Sequence, residues 1–386
     1  MRILAKVCLL IGLYYFTYFL YSSLQNTIPA LGDSWDYHIP ISQSILNGSF
    51  INPQNFKLPQ WYYPGSSEAI NSVFILLKIP LTLSNLFAIT VLFFALLKLG
   101  AVFKLSKYFN IIFALSFVTL NGILRWANAV GIDLWVAVFY VTTLIFLEKP
   151  KNELKYFALL GFFLGMLVGS KYSAVLLLLP LFIVYAKTLF KNINLKKLIA
   201  FLIPFSIFGL FWYIRNYLAT GNPFYPLPIF GFKGIEIFQE LRVWNVALLY
   251  PKAFFDAGFA EYKIWLFALP FALIWIVNRV YEKQKLTWHL DKIFILGLLN
   301  FLIFLFLPSS KDPWIMVSSF RYSYPTYILL ILGVFLVAQN NKREEIIGYI
   351  TIAGMIMVTS MSYHPKLILF YLPLAIVIYN FLDQQK

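Results

Sequence analysis

Asp33-Ser34-Trp35-Asp36-Tyr37-His38 sets two carboxylates, an imidazole and two aromatic rings within six positions, in a chain whose residues are only 12% charged. The cluster follows the first long apolar run, Ile3 to Tyr21. Asp33 and Asp36 are three apart, so they share a face if a helix begins there, with Asp33 or Ser34 as its N-cap. A carboxylate in such a place can take a proton from an attacking hydroxyl. Asp33 and Asp36 are therefore the candidate catalytic residues, with Tyr37 and His38 beside them as substrate contacts. The plainer reading is a helix cap on a solvated loop; the scarcity of acids elsewhere in the loop favours chemistry. Ile41, Ile45 and Leu46 then recur at helical spacing, which suits a helix lying in a membrane interface and ended by Asn47-Gly48.

Other polar residues stand out against the apolar background. Trp61-Tyr62-Tyr63-Pro64-Gly65-Ser66-Ser67-Glu68 combines aromatics, a turn and one acid. Tyr63 and Glu68 are candidate substrate contacts, although aromatics near membrane ends are usually belt residues and an acid at a helix start is favoured by the dipole alone. Asp36 and Glu68 are the candidate ligands should the protein use a divalent metal ion. Asp133 falls inside an apolar helix, where an acid normally faces a cavity or a partner; the bland alternative pairs it with Arg125 or another base. Lys171 and Tyr172 follow a helix carrying Gly161, Gly165 and Gly169, a small-residue ridge for close helix packing; Lys171 could also simply snorkel to the surface. Arg215 stands at the mouth of the seventh predicted span. Thr220-Gly221-Asn222-Pro223 is a tight-turn sequence that redirects the chain along the membrane surface. Arg321-Tyr322 marks another helix mouth. Lys171, Arg215 and Arg321 are thus three cations suited to a lipid phosphate, which arginine binds bidentately and lysine as a point charge. Binding of ordinary anionic headgroups is the competing explanation.

The elements that must position these residues are membrane helices. The chain has 386 residues, 61% of them hydrophobic, and apolar runs recur along its whole length. An all-α polytopic protein with about twelve spans is expected, at ~20 residues per crossing. The predicted spans are 3–21, 83–104, 108–122, 128–147, 154–170, 172–190, 197–214, 261–279, 291–308, 323–339, 345–362 and 366–382. Segment 67–80 is read as interfacial or re-entrant. Continuous apolar runs exclude the alternation of a β-barrel. The whole of 1–386 is one transmembrane domain, with interfacial helices in a first external loop, 22–82, and further external loops at 215–260 and 309–322.

A net charge of +15 could suggest nucleic acid, but the basic residues fall in the short connections between apolar runs, as positive-inside orientation requires. On that rule both termini are cytoplasmic and the long loops external. The lone Cys8 lies inside the first apolar run, so no disulfide framework exists. That run is read as a retained helix rather than a cleaved signal peptide. No Walker loop, GxGxxG, HExxH or serine hydrolase elbow is present. His289, cytoplasmic in this topology, cannot join His38, so a histidine-rich metal site is not expected. No two-half duplication of the kind many transporters carry is visible.

In their order, these features resemble the GT-C-type integral membrane glycosyltransferases, in the clan of protein O-mannosyltransferases and lipid A aminoarabinose transferases. The resemblance runs through most of the chain. It rests on the Asp33 to His38 motif, Tyr63-Pro64-Gly65…Glu68, Asp133, Gly165…Gly169-Ser170-Lys171-Tyr172, Arg215-Asn216-Tyr217…Thr220-Gly221-Asn222-Pro223-Phe224-Tyr225-Pro226, and Arg321-Tyr322. It implies transfer of a sugar from a polyprenyl-phosphate donor to an acceptor at the external face of the plasma (inner) membrane, usually with inversion. Asp33 would match the family's essential aspartate and act as general base, with Asp36 assisting or binding a metal. Lys171, Arg215 and Arg321 would hold the donor phosphate, and Tyr37, His38, Tyr63, Glu68, Asp133, Tyr172, Asn222 and Tyr322 would contact substrate. Many members carry two adjacent acids where this chain has Asp33-Ser34. Many also carry a soluble C-terminal domain, so here the acceptor (lipid, glycan or protein) is expected to be read by the loops or by a partner protein. A transporter or flippase for a lipid-linked or small solute, using Asp133 and Lys171 as an intramembrane pair, is the alternative; a non-catalytic envelope scaffold is a third reading.

Overall fold

The computed structural model describes residues 1–25, 29, 32–53, 58–190, 193–235, 241–282 and 288–360. Of the described residues, 80% are helical. Among the described residues, five helical segments are long and apolar enough to cross a membrane: Arg2–Gln25, Leu81–Val102, Leu195–Thr220, Pro251–Tyr281 and Ile315–Asn340. Apolar helices at Lys107–Val118, Leu154–Val168 and Tyr172–Lys187 are shorter. The predicted span 366–382, and His364 before it, lie outside the described residues.

Helix α1 (Arg2–Gln25) leads to a π turn at Ser34–His38 and α2 (Ile39–Leu46). Next come α3 (Ser66–Leu76), α4 (Ser84–Val102), α5 (Lys107–Val118), α6 (Asn121–Arg125), α7 (Asp133–Glu148) and α8 (Leu154–Val168). Helices α9 (Tyr172–Leu176), α10 (Leu178–Phe190), α11 (Leu195–Phe205) and α12 (Phe211–Thr220) follow. The chain continues through β1 (Leu241–Arg242), α13 (Val243–Leu249), α14 (Pro251–Tyr262), α15 (Ala268–Tyr281) and α16 (Trp288–Leu305). It then runs through β2 (Pro308–Ser309), α17 (Pro313–Phe320), α18 (Tyr324–Asn340) and α19 (Glu344–Ser360). At 11 residues α3 extends about 16 Å, too short to cross a bilayer, in keeping with an interfacial reading of 67–80.

Helix α18 is the hub. In the Ile315–Asn340 segment 89% of the apolar window is buried, against 17% in Leu195–Thr220, so the first is central and the second peripheral. Phe335 of α18 packs against Phe109 and Phe113 of α5 and Trp265, with ring centroids 4.5 to 5.6 Å apart. Lipid offers no hydrophobic drive between helices, so association depends on close backbone approach. The Gly161/Gly165/Gly169 ridge of α8 supplies it: a Cβ at Gly161 would overlap the Phe201 carbonyl, and one at Gly165 would sit 3.0 Å from Phe205 Cα.

Two boundaries differ from the sequence-based expectation. The helix predicted to end at 214 continues to Thr220, with a π turn at Ser206–Leu210 just after Pro204. Proline cannot donate the regular backbone hydrogen bond, and the wider turn absorbs the fault. Arg215 therefore lies within a helix rather than at a loop mouth. The loops expected at 215–260 and 309–322 are also largely helical, containing α13, α14 and α17. The β1–β2 ladder, Leu241 opposite Ser309 and Arg242 opposite Pro308, ties the two loops together.

Candidate functional site

The acidic turn is fixed by the serine within it. Ser34 is fully buried, and its hydroxyl donates to Val130 O (3.0 Å) and accepts from Val130 N (3.1 Å). This pins the turn to the strand of chain just before α7, whose first residue is Asp133. The last turn of α1 is tied to the same stretch of chain: Ser23 donates to Asn128 Oδ1, and Asn128 Nδ2 donates to Ser22 Oγ. Neither Asp33 nor Ser34 caps a helix as expected; Asp33 is already helical (φ −48, ψ −34) and makes no cap bond. The expected shared face for Asp33 and Asp36 is also absent. A π turn advances each residue through a smaller angle than an α-helix, and Asp36 turns out to solvent while Asp33 turns inward. Trp61 Nε1 holds the Asp36 carbonyl at 2.7 Å, leaving its carboxylate outside the cluster.

Asp33 meets Arg321. Arg321 Nη2 lies 3.1 Å from Asp33 Oδ2, and Arg321 Nε lies 3.1 Å from Asp133 Oδ2. The other oxygen of Asp133 is 2.6 Å from Lys171 Nζ. Lys171, Asp133, Arg321 and Asp33 thus form one continuous chain of alternating charge, built from α7, the residue before α9, and the 3-10 turn Arg321–Ser323 that leads into α18. Tyr322 lies under both cations, with Lys171 Nζ 3.7 Å and the Arg321 guanidinium 5.6 Å from its ring centroid. Trp126 supports Arg321 from another side at 5.6 Å. Asp133 is the inner, shielded acid, whereas 40% of the Asp33 side chain remains exposed. The bland alternative, a pairing of Asp133 with Arg125 or another base, is met by Lys171 and Arg321; Arg125 itself pairs with Glu261 of α14.

Arg215 is spent elsewhere. Its Nη2 donates to Tyr62 O and Asn216 Oδ1 (both 2.8 Å), its Nε to Asn216 Oδ1 (3.0 Å) and its Nη1 to Phe50 O (3.3 Å). Asn216 Nδ2 adds bonds to Tyr62 O (2.8 Å) and the Tyr172 hydroxyl (2.7 Å), and Tyr172 in turn donates to Tyr225 O (2.6 Å). A buried guanidinium is stable only when its donors are met, and here backbone carbonyls of the first loop meet them. The expectation that Arg215 offers its donors to a phosphate beside Lys171 and Arg321 is therefore corrected: it clamps the first loop onto α12. Asn222 is corrected in the same way. It is buried, its Nδ2 donates to Leu227 O and Lys233 O (2.9 Å each), and its Oδ1 accepts from Phe224 N (2.8 Å). It organises its own loop, with nothing left over for a ligand.

Behind the acidic turn, His38 Nδ1 lies 2.8 Å from Glu68 Oε1, both side chains being almost fully buried. Glu68 thus orients His38 from the first turn of α3, and its second oxygen has no hydrogen-bond partner among the described residues. Tyr37 packs on His38 (4.2 Å between centroids) and on Tyr63 (6.0 Å), which packs on Tyr172 (5.7 Å). Burial holds the Tyr37 phenol well above its ordinary value, and pushes Tyr63 up to about 12, with Tyr322 and Asp33 adding to the Tyr63 shift. Both hydroxyls therefore keep their protons at neutral pH. The donor set does not suit a divalent ion at Asp36 and Glu68. Glu68 is engaged with His38 while Asp36 faces solvent, and among the described residues no three His, Cys, Asp or Glu side chains gather.

The ion chain borders a small cavity of about 10 Å³, room for one water molecule. Lys171, Arg321, Tyr322 and Asp133 line it together with Ser173 and the apolar Val136, Ile303 and Phe304, and Asn300 of α16 supplies an amide. Sequence reasoning did not find Asn300, nor the buried Glu261. The signal was there in both cases, a polar group in an apolar stretch, the criterion that drew attention to Asp133.

A family model described as a domain of unknown function (DUF8201) matches residues 67–236. That range is similar over α3 to the loop after α12, and it includes Glu68, Asp133, Lys171 and Arg215 but neither Asp33 nor Arg321. No curated protein and no solved structure matches the chain.

Proposed function

We propose that the protein is a membrane glycosyltransferase that moves a sugar from a polyprenyl-phosphate donor to an acceptor hydroxyl, at the external face of the plasma (inner) membrane with both termini cytoplasmic. The observation that carries this reading is the Lys171–Asp133–Arg321–Asp33 chain beside a small, partly open cavity. An anionic phosphate arriving from the bilayer competes with the more exposed acid, Asp33, for Arg321. Asp33 released from its guanidinium has both carboxylate oxygens free to accept a proton. It takes the acceptor proton as the acceptor oxygen attacks the anomeric carbon. The bond from that carbon to the phosphate oxygen breaks, and the electron pair leaves on the phosphate, whose charge Lys171 and Arg321 offset. Asp133 keeps both cations in place throughout. Tyr37, Tyr63, Tyr172 and Tyr322 form the aromatic side of the site, with His38 and Glu68 behind them. Asp36, solvent-facing, and Arg215 and Asn222, committed to backbone, take no part in the reacting groups. The acceptor is a lipid, glycan or protein hydroxyl.

The test is transfer by purified protein supplied with polyprenyl-phosphate sugars. Asp33→Asn is expected to lose 10²–10⁴-fold in kcat, the range for a general base, with its thermal stability nearly unchanged because the Asp33–Arg321 pair is partly exposed. Undiminished transfer by Asp33→Asn refutes the base assignment. A second reading is favoured by the neighbouring Arg125–Glu261 pair: buried opposite charges in succession also suit a transporter or flippase. It requires solute movement across proteoliposomes that survives Asp33→Asn and fails in Glu261→Gln.

A further inference from the structure

The loop after α12 folds back along the helix it leaves. Gly221 ends α12 in a left-handed conformation (φ 72). The Phe224 ring then packs on Tyr213 of α12 at 5.6 Å and on Tyr172 at 6.1 Å, and Phe230 packs on Phe224 at 5.5 Å. Tyr213 precedes Thr220, the last residue of α12, by seven positions, about 10 Å along the helix. Leu195–Thr220 has 26 residues, about 39 Å of helix, which overruns ~30 Å of hydrocarbon by about 4–5 Å at each end when placed symmetrically. Tyr213 is then about 6 Å below the hydrocarbon edge. Two ring spacings bring Phe230 no higher than the headgroup layer, even with both directed outward.

The loop is also built unlike a water-exposed one. Within 224–235 the single charged residue is Lys233. Its base is closed by Ile235 N donating to Pro226 O (2.9 Å), and Asn222 Nδ2 holds Leu227 O and Lys233 O. At the tip Phe230 is 78% exposed and has a left-handed backbone (φ 53) that a bulky residue rarely adopts, followed by Gly231 at φ 81. Strain is thus held in a conformation that leaves a large apolar ring outside the protein. On α12 itself Ile214 and Leu218 are exposed too, in a segment whose apolar window is only 17% buried. We infer that the 224–235 loop is a membrane-dipping finger whose partner is the acyl chains of bilayer phospholipid, with Phe230 inserted among them and Lys233 reaching back to the headgroups. Its root is Tyr172, which donates to Tyr225 O and follows Lys171 directly in the chain, so the finger brings a lipid surface beside the cations of the site. The inference needs only the membrane reading and stands apart from sugar transfer.

The experiment measures where the tip lies. Phe230→Cys is labelled with bimane in the full-length protein, with unsubstituted protein as the control for Cys8, which is buried. The labelled protein is placed in nanodiscs of phosphatidylcholine with or without dibrominated acyl chains, and quenching by bromolipid and by aqueous iodide is compared. Ile207→Cys, exposed midway along Leu195–Thr220, is the lipid reference, and Lys151→Cys, exposed between α7 and α8, is the water reference. Bromolipid should quench the label at 230 about half as strongly as at 207 or more, and iodide about 5-fold less than at 151. Strong iodide quenching with weak bromolipid quenching overturns the inference, because the tip then stands in water. Shielding from both quenchers also overturns it, because protein, a second copy or another chain, then covers the tip. If Phe230→Cys does not fold, as judged by Tm, Lys233→Cys is read instead, and bromolipid quenching there no greater than at 151 overturns the inference.

Discussion

Asp133→Asn keeps the side-chain shape and removes one charge from the centre of the ion chain. Asp133 alone joins both cations, through Oδ1 to Lys171 at 2.6 Å and through Oδ2 to Arg321 at 3.1 Å. Charge-assisted bonds contribute about 1.5–3 kcal/mol each, and stranding a buried charge costs about 3–5 kcal/mol. Lys171 retains 20% side-chain exposure and its contact with Tyr322, so the lower figure, about 3 kcal/mol, applies. At about 2 °C per kcal/mol for a large chain, the apparent Tm should fall by about 6 °C. Lys171→Met alone leaves Asp133 paired with Arg321 and should cost about 2 kcal/mol, less than stranding either charge outright. In the double variant neither charge of the pair remains, so the total should fall short of the sum by at least about 1 kcal/mol. Thermal unfolding followed by tryptophan fluorescence in one detergent measures all four proteins. Additive losses, agreeing within about 0.5 kcal/mol, would show that Asp133 does not couple to Lys171 and would remove the central link of the site.

Arg215→Met should lower stability by about 3 kcal/mol, since it leaves the Tyr62 and Phe50 carbonyls and Asn216 unmatched; the loss should appear in Tm and in faster proteolysis of the 47–63 loop. A variant with normal Tm and lost phosphate binding would restore Arg215 as a ligand. Gly161→Ala forces α8 away from the Phe201 carbonyl and should cost about 1–3 kcal/mol as overpacking; a neutral or stabilising effect on Tm would contradict the close approach of α8 and α11. Tyr63 holds its proton to about pH 12 when folded, while an unfolded tyrosine ionises near 10. The unfolded state therefore binds fewer protons between those values, and stability falls as pH rises through that window. Wild type should lose more Tm than Tyr63→Phe between pH 9.5 and 11.5, and identical slopes would contradict the shift.

The apolar runs determined much of the helical order by themselves. The described helices α1, α4, α5, α7, α8, α16, α18 and α19 begin and end near the predicted spans, because a run of residues that cannot meet water has few choices in a bilayer. Asp133 and Lys171 could be singled out because a charge in such a run is costly wherever its helix lies. Partners could not be chosen that way. Whether Asp133 met Arg125 or Arg321 depended on which faces of α7, α14 and α18 came together, and neither charge nor spacing encodes that. Arg215 and Arg321 look alike in sequence, each with aromatics within two residues. Only packing made one a clamp on backbone carbonyls and the other the bridge between two acids. Asn300 became notable only when folding left one of its atoms without a partner among the described residues, a property of the assembled interior rather than of any segment.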